Sequence, residues 1–178
     1  MFAPRMSACL MLSFIGLVSG VGATLTTFAD ADEAVPKVES PAHRAAQQFV
    51  TSLVQGSVKD AVGAASVPFA LLNDTVANAE DLSARLGELG KSRTFAMLRE
   101  LDQKKGLRIT KVETLQEPRL SFVAGRSFQP LKIDGLSLVL VRSEGNVGGE
   151  KGVFDFVVAV KPDGKPGSDP QIVGFGDD

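Results

Sequence analysis

Apolar residues recur at helical spacing from Ser40 to Gly106 and change to alternation from Leu107 onward. Ser40 is placed to cap a first helix, with Pro41 in its first turn. Ala42, Ala46, Phe49 and Leu53 form one face of that helix, and Gly56 closes it. Ser57 is placed to cap a short second helix, with Asp60 as a partial capping-box match. Pro68 disfavours helix at Val67, so this helix stops and Val67 to Leu72 reads as a short strand. Asn78 caps a third helix with the stripe Ala79, Leu82, Leu86 and Leu89, which Gly90 stops or kinks. Ser92 recaps a continuation through Phe95, Leu98 and Leu101, closed by Lys104, Lys105 and Gly106.

The second half reads as strands. Leu107 to Leu115 is one, Leu120 to Phe128 a weaker one, and Leu136 to Arg142 a strong one. In Val153 to Lys161, Phe154, Phe156, Val158 and Val160 alternate with Val153, Asp155, Val157 and Ala159. The segment from Asn146 to Gly152 is expected to be a hairpin loop. Pro162 to Pro170 is turn chemistry, and Gln171 to Phe175 is a last strand. Helices first and a run of strands afterwards predict an α+β fold, with N-terminal helices packed on an antiparallel sheet. Both faces of the strand Val153 to Lys161 are apolar, so both need cover. Helices cover one, and a homodimer through the outer sheet face is the expectation for the other.

The first residues belong to a different pattern. Met6 to Ala29 is 24 residues without a charge, preceded by Arg5 and ending in small residues. Residues 1–29 therefore read as a signal peptide, cleaved after Ala23 or Ala29, and place the protein as secreted or periplasmic. The alternative is a retained N-terminal membrane anchor, since about 20 apolar residues span a bilayer. Residues 30–39 (DADEAVPKVE) read as a disordered linker, and residues 40–178 as a single domain.

Composition narrows the chemistry. The chain has 178 residues and a net charge of -2, with no basic block, which argues against nucleic acid as a partner. One Cys and one His exclude a zinc framework of several Cys and His ligands, and with no Tyr there is no phenol to act as an acid. No metal or cofactor is expected. The single Cys9 lies inside the signal-like segment.

The stretches AAQQFVTSLVQGSVKDAV, VPFALLN, NAEDLSARLGEL and the terminal GVFDFVVAVKPDG with QIVGF resemble, in order and spacing, the NTF2-like (SnoaL-like, cystatin-like cone) superfamily. The resemblance runs from Pro41 to Phe175 and contains no catalytic motif. It implies a curved sheet wrapped around the helices as a cone with a pocket, and frequent dimers that pack sheet against sheet. It also implies that enzymes of this type place an Asp, His or Tyr inside the cone for proton transfer.

Few residues meet that last condition. Asp155, between Phe154 and Phe156, is the one well-placed candidate base; a carboxylate lining the cone would have a raised pKa. Period-2 alternation instead favours Phe154 and Phe156 pointing inward and Asp155 away. His43 lies off the apolar face of the first helix and is expected at the surface. Glu113 and Glu117 are weaker candidates as paired carboxylates. The glycine-rich GNVGGEKG does not open a helix, so it is no phosphate cradle. Asn73-Asp74-Thr75 fits a glycosylation acceptor in a eukaryotic secretory pathway.

The sequence thus leads to a secreted, non-catalytic module that binds a small apolar ligand or another protein. Its pocket is expected to be lined by Phe49, Leu53, Phe69, Leu86, Phe154 and Phe156. Two alternatives stand beside it: a proton-transfer enzyme of isomerase or dehydratase type using Asp155, and a structural extracytoplasmic domain with a filled cone.

Overall fold

The computed structural model describes residues 40–177, apart from 118, 130, 133–134 and 163–168. The signal-like segment, the linker 30–39 and the centre of the Pro162 to Pro170 turn lie outside the described residues. The elements in chain order are α1 (Pro41–Gln55), α2 (Val58–Ala64), β1 (Ala65–Leu71), β2 (Asp74–Val76), α3 (Ala79–Lys91), α4 (Arg93–Gln103), β3 (Leu107–Thr114), α5 (Arg119–Ser127), β4 (Ser137–Val147), β5 (Glu150–Lys161) and β6 (Gln171–Asp177).

Local signals set most helix boundaries. Ser40 Oγ accepts from the His43 backbone N–H at 3.1 Å, and Gly56, at φ 79°, turns the chain out of α1. Asn78 Oδ1 accepts from the Asp81 N–H at 2.8 Å. Ser92 both ends α3 and caps α4, so Gly90 stays inside the helix; its carbonyl accepts from Arg99 at 3.0 Å. Arg99 also donates to the Val54 carbonyl at 3.1 Å, tying the ends of α1 and α3 with one guanidinium. The capping box at Ser57 does not form, because its hydroxyl donates to the Asp60 carboxylate instead of accepting from a backbone N–H.

Two expected elements change. The segment from Leu120 to Phe128 is not a strand; it lies in and just after α5. Leu120, Val123, Ala124, Ser127 and Phe128 recur at intervals of three and four, and that face packs on the sheet. The hairpin loop is also shorter than expected. β4 and β5 run on to Val147 and Glu150, so Gly148 and Gly149 alone turn the chain, at φ 63° and 94°. Two successive positive φ angles are what a two-residue primed turn requires.

The sheet has six strands in the order β2-β1-β6-β5-β4-β3. It is antiparallel except where β6 inserts beside β1 in parallel, so the expected antiparallel sheet is a mixed one. Register shifts interrupt the β1–β6, β3–β4 and β5–β6 pairings, and such irregularities bend a sheet.

The alternation in β5 separates two cores. Phe156, Val158 and Val160 join the core under α1 to α4. Val157 and Ala159 join a second core with Val123, Ala124 and Phe128 at α5. The second apolar face, which in the sequence argued for a partner subunit, is covered here by α5 of the same chain. β6 permits the close approach. A Cβ on Gly174 would lie 2.8 Å from the Phe128 ring, and one on Gly176 would lie 2.8 Å from Ser127 Cβ. Gly176→Ala is therefore expected to cost about 1–3 kcal/mol by overpacking. Gly63→Ala, where nothing lies within 4 Å in α2, is expected to be neutral or to stabilise by up to about 1 kcal/mol. Urea denaturation of both variants checks this; equal effects would contradict the seating of α5 on β6.

Candidate functional site

The inner side of the sheet is the first place to look for a site. Phe49, Leu53, Phe69, Leu86 and Phe156 are all buried there in one core. The phenylalanine rings of this core meet one another. Phe175 lies 5.8 Å from Phe49, 6.3 Å from Phe95 and 5.7 Å from Phe156, centroid to centroid. Phe49 and Phe69 are 6.1 Å apart, and Phe95 and Phe156 are 5.7 Å apart. These are packing distances for aromatic pairs. Phe154 sits half-buried against the same core. Of the six side chains expected to line a pocket, only Phe49 borders one of the described cavities.

That cavity is a groove of about 520 Å³ along α1 and α2, with a polar wall of Arg44, Gln47, Gln48 and Asp60. A second groove of about 400 Å³ lies at the start of α1, between Pro41, Thr114, Ser137, Pro162 and Pro170.

His43 is not a free surface residue. It is half-buried, and its Nε2 is 2.9 Å from Thr114 Oγ1, which ties α1 to the edge strand β3. Its Nδ1 is buried without a hydrogen-bond partner, so no carboxylate orients the ring. Ser143 is buried, and its Oγ has no partner, so it has no base to activate it as a nucleophile.

Asp155 lies on the α5 side of the sheet, as its alternation with Phe154 and Phe156 implies. The register places it opposite Arg142 on β4. Arg142 Nε donates to Oδ1 at 2.7 Å, and a terminal nitrogen donates to Oδ2 at 2.6 Å, a two-pronged pair. Arg119, at the start of α5, approaches Oδ2 at 4.0 Å and Glu113 at 3.8 Å. Lys111 closes the chain of charges, 2.9 Å from Glu113. The Arg142 hydrogen bonds hold the Asp155 carboxyl below its ordinary pKa, and this outweighs the opposing effect of burial. Asp155 in turn raises the pKa of Arg142.

A carboxylate held ionised between guanidinium groups is a weak proton acceptor at neutral pH. The geometry therefore makes Asp155 a structural anchor between β4, β5 and α5. Glu113 and Glu117 are not paired with each other. Glu113 faces Lys111 and Arg119, and Glu117 accepts from the Ser121 hydroxyl at 2.7 Å. Among the described residues, no group of three or more His, Cys, Asp or Glu side chains is arranged to hold a metal. No helix among them is long and apolar enough to cross a membrane.

The sign of the Asp155 effect on stability follows from the direction of its shift. A carboxyl with a lowered folded pKa adds stability above its unfolded value, near about 3.9. That stability is lost as pH falls through the folded value. Asp155→Asn is expected to destabilise by about 1–2 kcal/mol at neutral pH, since it removes one charge-assisted hydrogen bond. The gap to the parent protein is expected to close as the pH falls below about 4. Denaturant titrations at both pH values check this; a gap independent of pH would contradict the ion pair's role.

No family model matches the sequence, and no curated protein matches it. Solved structures do resemble it. One, from Xanthomonas campestris, is named for the calcium/calmodulin dependent protein kinase II association domain. It is 12% identical, covers 80% of this chain and 89% of its own, and has a TM-score of 0.39. Another, an NTF2-like protein from Anabaena variabilis ATCC 29413, is 12% identical, covers 78% and 91%, and has a TM-score of 0.39. Ligand and activity have to be argued from this chain's own residues. The chain is an α+β domain whose solved neighbours include an NTF2-like protein.

Proposed function

We propose that this protein is an extracytoplasmic, non-catalytic interaction module that works through its surface. The observation that carries the reading is the ring cluster of Phe49, Phe69, Phe95, Phe156 and Phe175, whose packing at aromatic contact distances on the inner face supports a filled interior. The ion pair of Asp155 with Arg142 supports the non-catalytic part, because it ties up the one candidate base on the opposite face. The uncharged stretch from Met6 to Ala29 supports delivery across a membrane.

Native mass spectrometry of the protein recovered after secretory expression tests both parts. The expected species begins at Thr24 or Asp30 and carries no small molecule. A retained apolar ligand would overturn the surface-acting reading in favour of a pocket binder. Intact chains with Met1 in the membrane fraction would overturn the secreted location.

A further inference from the structure

We propose that the half of the outer sheet face left open by α5 docks an acidic segment of a partner protein that carries an apolar side chain. This rests on the reading of the chain as an interaction module and names the surface and the partner's chemistry.

The register gives the layout. Lys111, Arg142 and Asp155 form one row across β3, β4 and β5, and Arg108, Glu144 and Val153 form the next. Lys151, opposite Asn146, follows in the third row, with its Nζ 2.7 Å from Glu144. Opposed residues share a face, as do residues two apart along a strand. The contacts agree, since Arg142 is hydrogen-bonded to the Asp155 carboxylate and Lys111 and Arg119 both reach Glu113. The rows hold four cations, Arg108, Lys111, Arg142 and Lys151, against two carboxylates, Glu144 and Asp155. Arg119 and Glu113 add one of each at the border with α5. The whole chain carries net -2, so this surface has the opposite sign to the molecule that bears it.

One apolar side chain lies among the charges: Val153, in the second row, is 50% exposed. Charge complementarity selects an acidic partner and speeds its encounter. Exposed apolar groups supply anchors that a purely ionic contact lacks. The carboxylates set among the cations disfavour a uniform polyanion, because the phosphates of a nucleic acid or an anionic bilayer would meet Glu144 and Asp155. A peptide of mixed character can place its acids and its apolar residue to suit.

Fluorescence anisotropy of the purified protein tests this with a labelled octapeptide of Glu and Asp carrying one Leu and one Phe. The control peptide has Gln and Asn in place of the acids. The acidic peptide is expected to bind about tenfold tighter at low ionic strength, with the difference shrinking as salt is added. The double variant Arg108→Gln with Lys151→Gln, and separately Val153→Thr, are each expected to weaken it about threefold or more with an unchanged melting temperature.

Equal affinity for the two peptides, no binding of either, or variants that bind like the parent would overturn the proposal. So would binding of phosphatidylserine vesicles in place of the peptide, or a homodimer in sedimentation that the same variants dissociate. A retained small ligand in the mass spectrum would overturn the interaction-module reading separately, whatever the peptides do.

Discussion

The stacking of Phe175 on Phe156, with ring centres 5.7 Å apart and planes inclined by 26°, organises the inside of this molecule. It brings the last strand against β5 and makes Phe175 the ring on which α1 and α4 converge through Phe49 and Phe95. Each buried phenylalanine contributes on the order of 1.5–3 kcal/mol. The same strand serves the other face by omission. Gly174 and Gly176, on either side of Phe175, carry no side chain where α5 sits down. One tripeptide, Gly-Phe-Gly, thus fills the interior and admits a helix outside.

The two faces bear on function differently. On the inner side, phenylalanine rings pack at contact distance. On the outer side, Arg142 holds the Asp155 carboxyl below its ordinary pKa, which makes it a weak base. On the open rows of β3, β4 and β5 cations outnumber carboxylates, and most of them are ion-paired within that surface. Arg119 is part of that surface and also joins α5 to the sheet, while Arg142 joins β4 to β5, so fold and surface chemistry share the same ion pairs.

Much of this was legible in the sequence. Ser40, Gly56, Asn78 and Ser92 sit where the helices begin and end, because caps and left-handed glycine act within a few residues. The alternation of Phe154, Asp155 and Phe156 correctly separated inside from outside. α5 was misread as a strand because its apolar residues are few and its flanks carry no clear cap. Its spacing of Leu120, Val123, Ala124, Ser127 and Phe128 was the signal available. The Arg142–Asp155 pair depends on the exact turn, which an expected loop from Asn146 to Gly152 leaves open. A turn at Gly148–Gly149 sets Val147 opposite Glu150 and therefore Arg142 opposite Asp155. The parallel insertion of β6 beside β1 had no local signal, since it depends on how the chain returns across the whole sheet. Phe49, Leu53, Phe69, Leu86, Phe154 and Phe156 share the inner-face core, as periodicity implies; periodicity tells which way a side chain points and not how much space lies between neighbours.

The most direct test of the filled interior is benzene binding, read as a shift in melting temperature, for the parent protein and for Phe175→Ala. Removing that ring is expected to cost about 3–5 kcal/mol and to leave an apolar cavity. Such cavities bind benzene. The account predicts that benzene raises the melting temperature of Phe175→Ala and leaves the parent unchanged. A parent protein stabilised by benzene as strongly as the variant would contradict it.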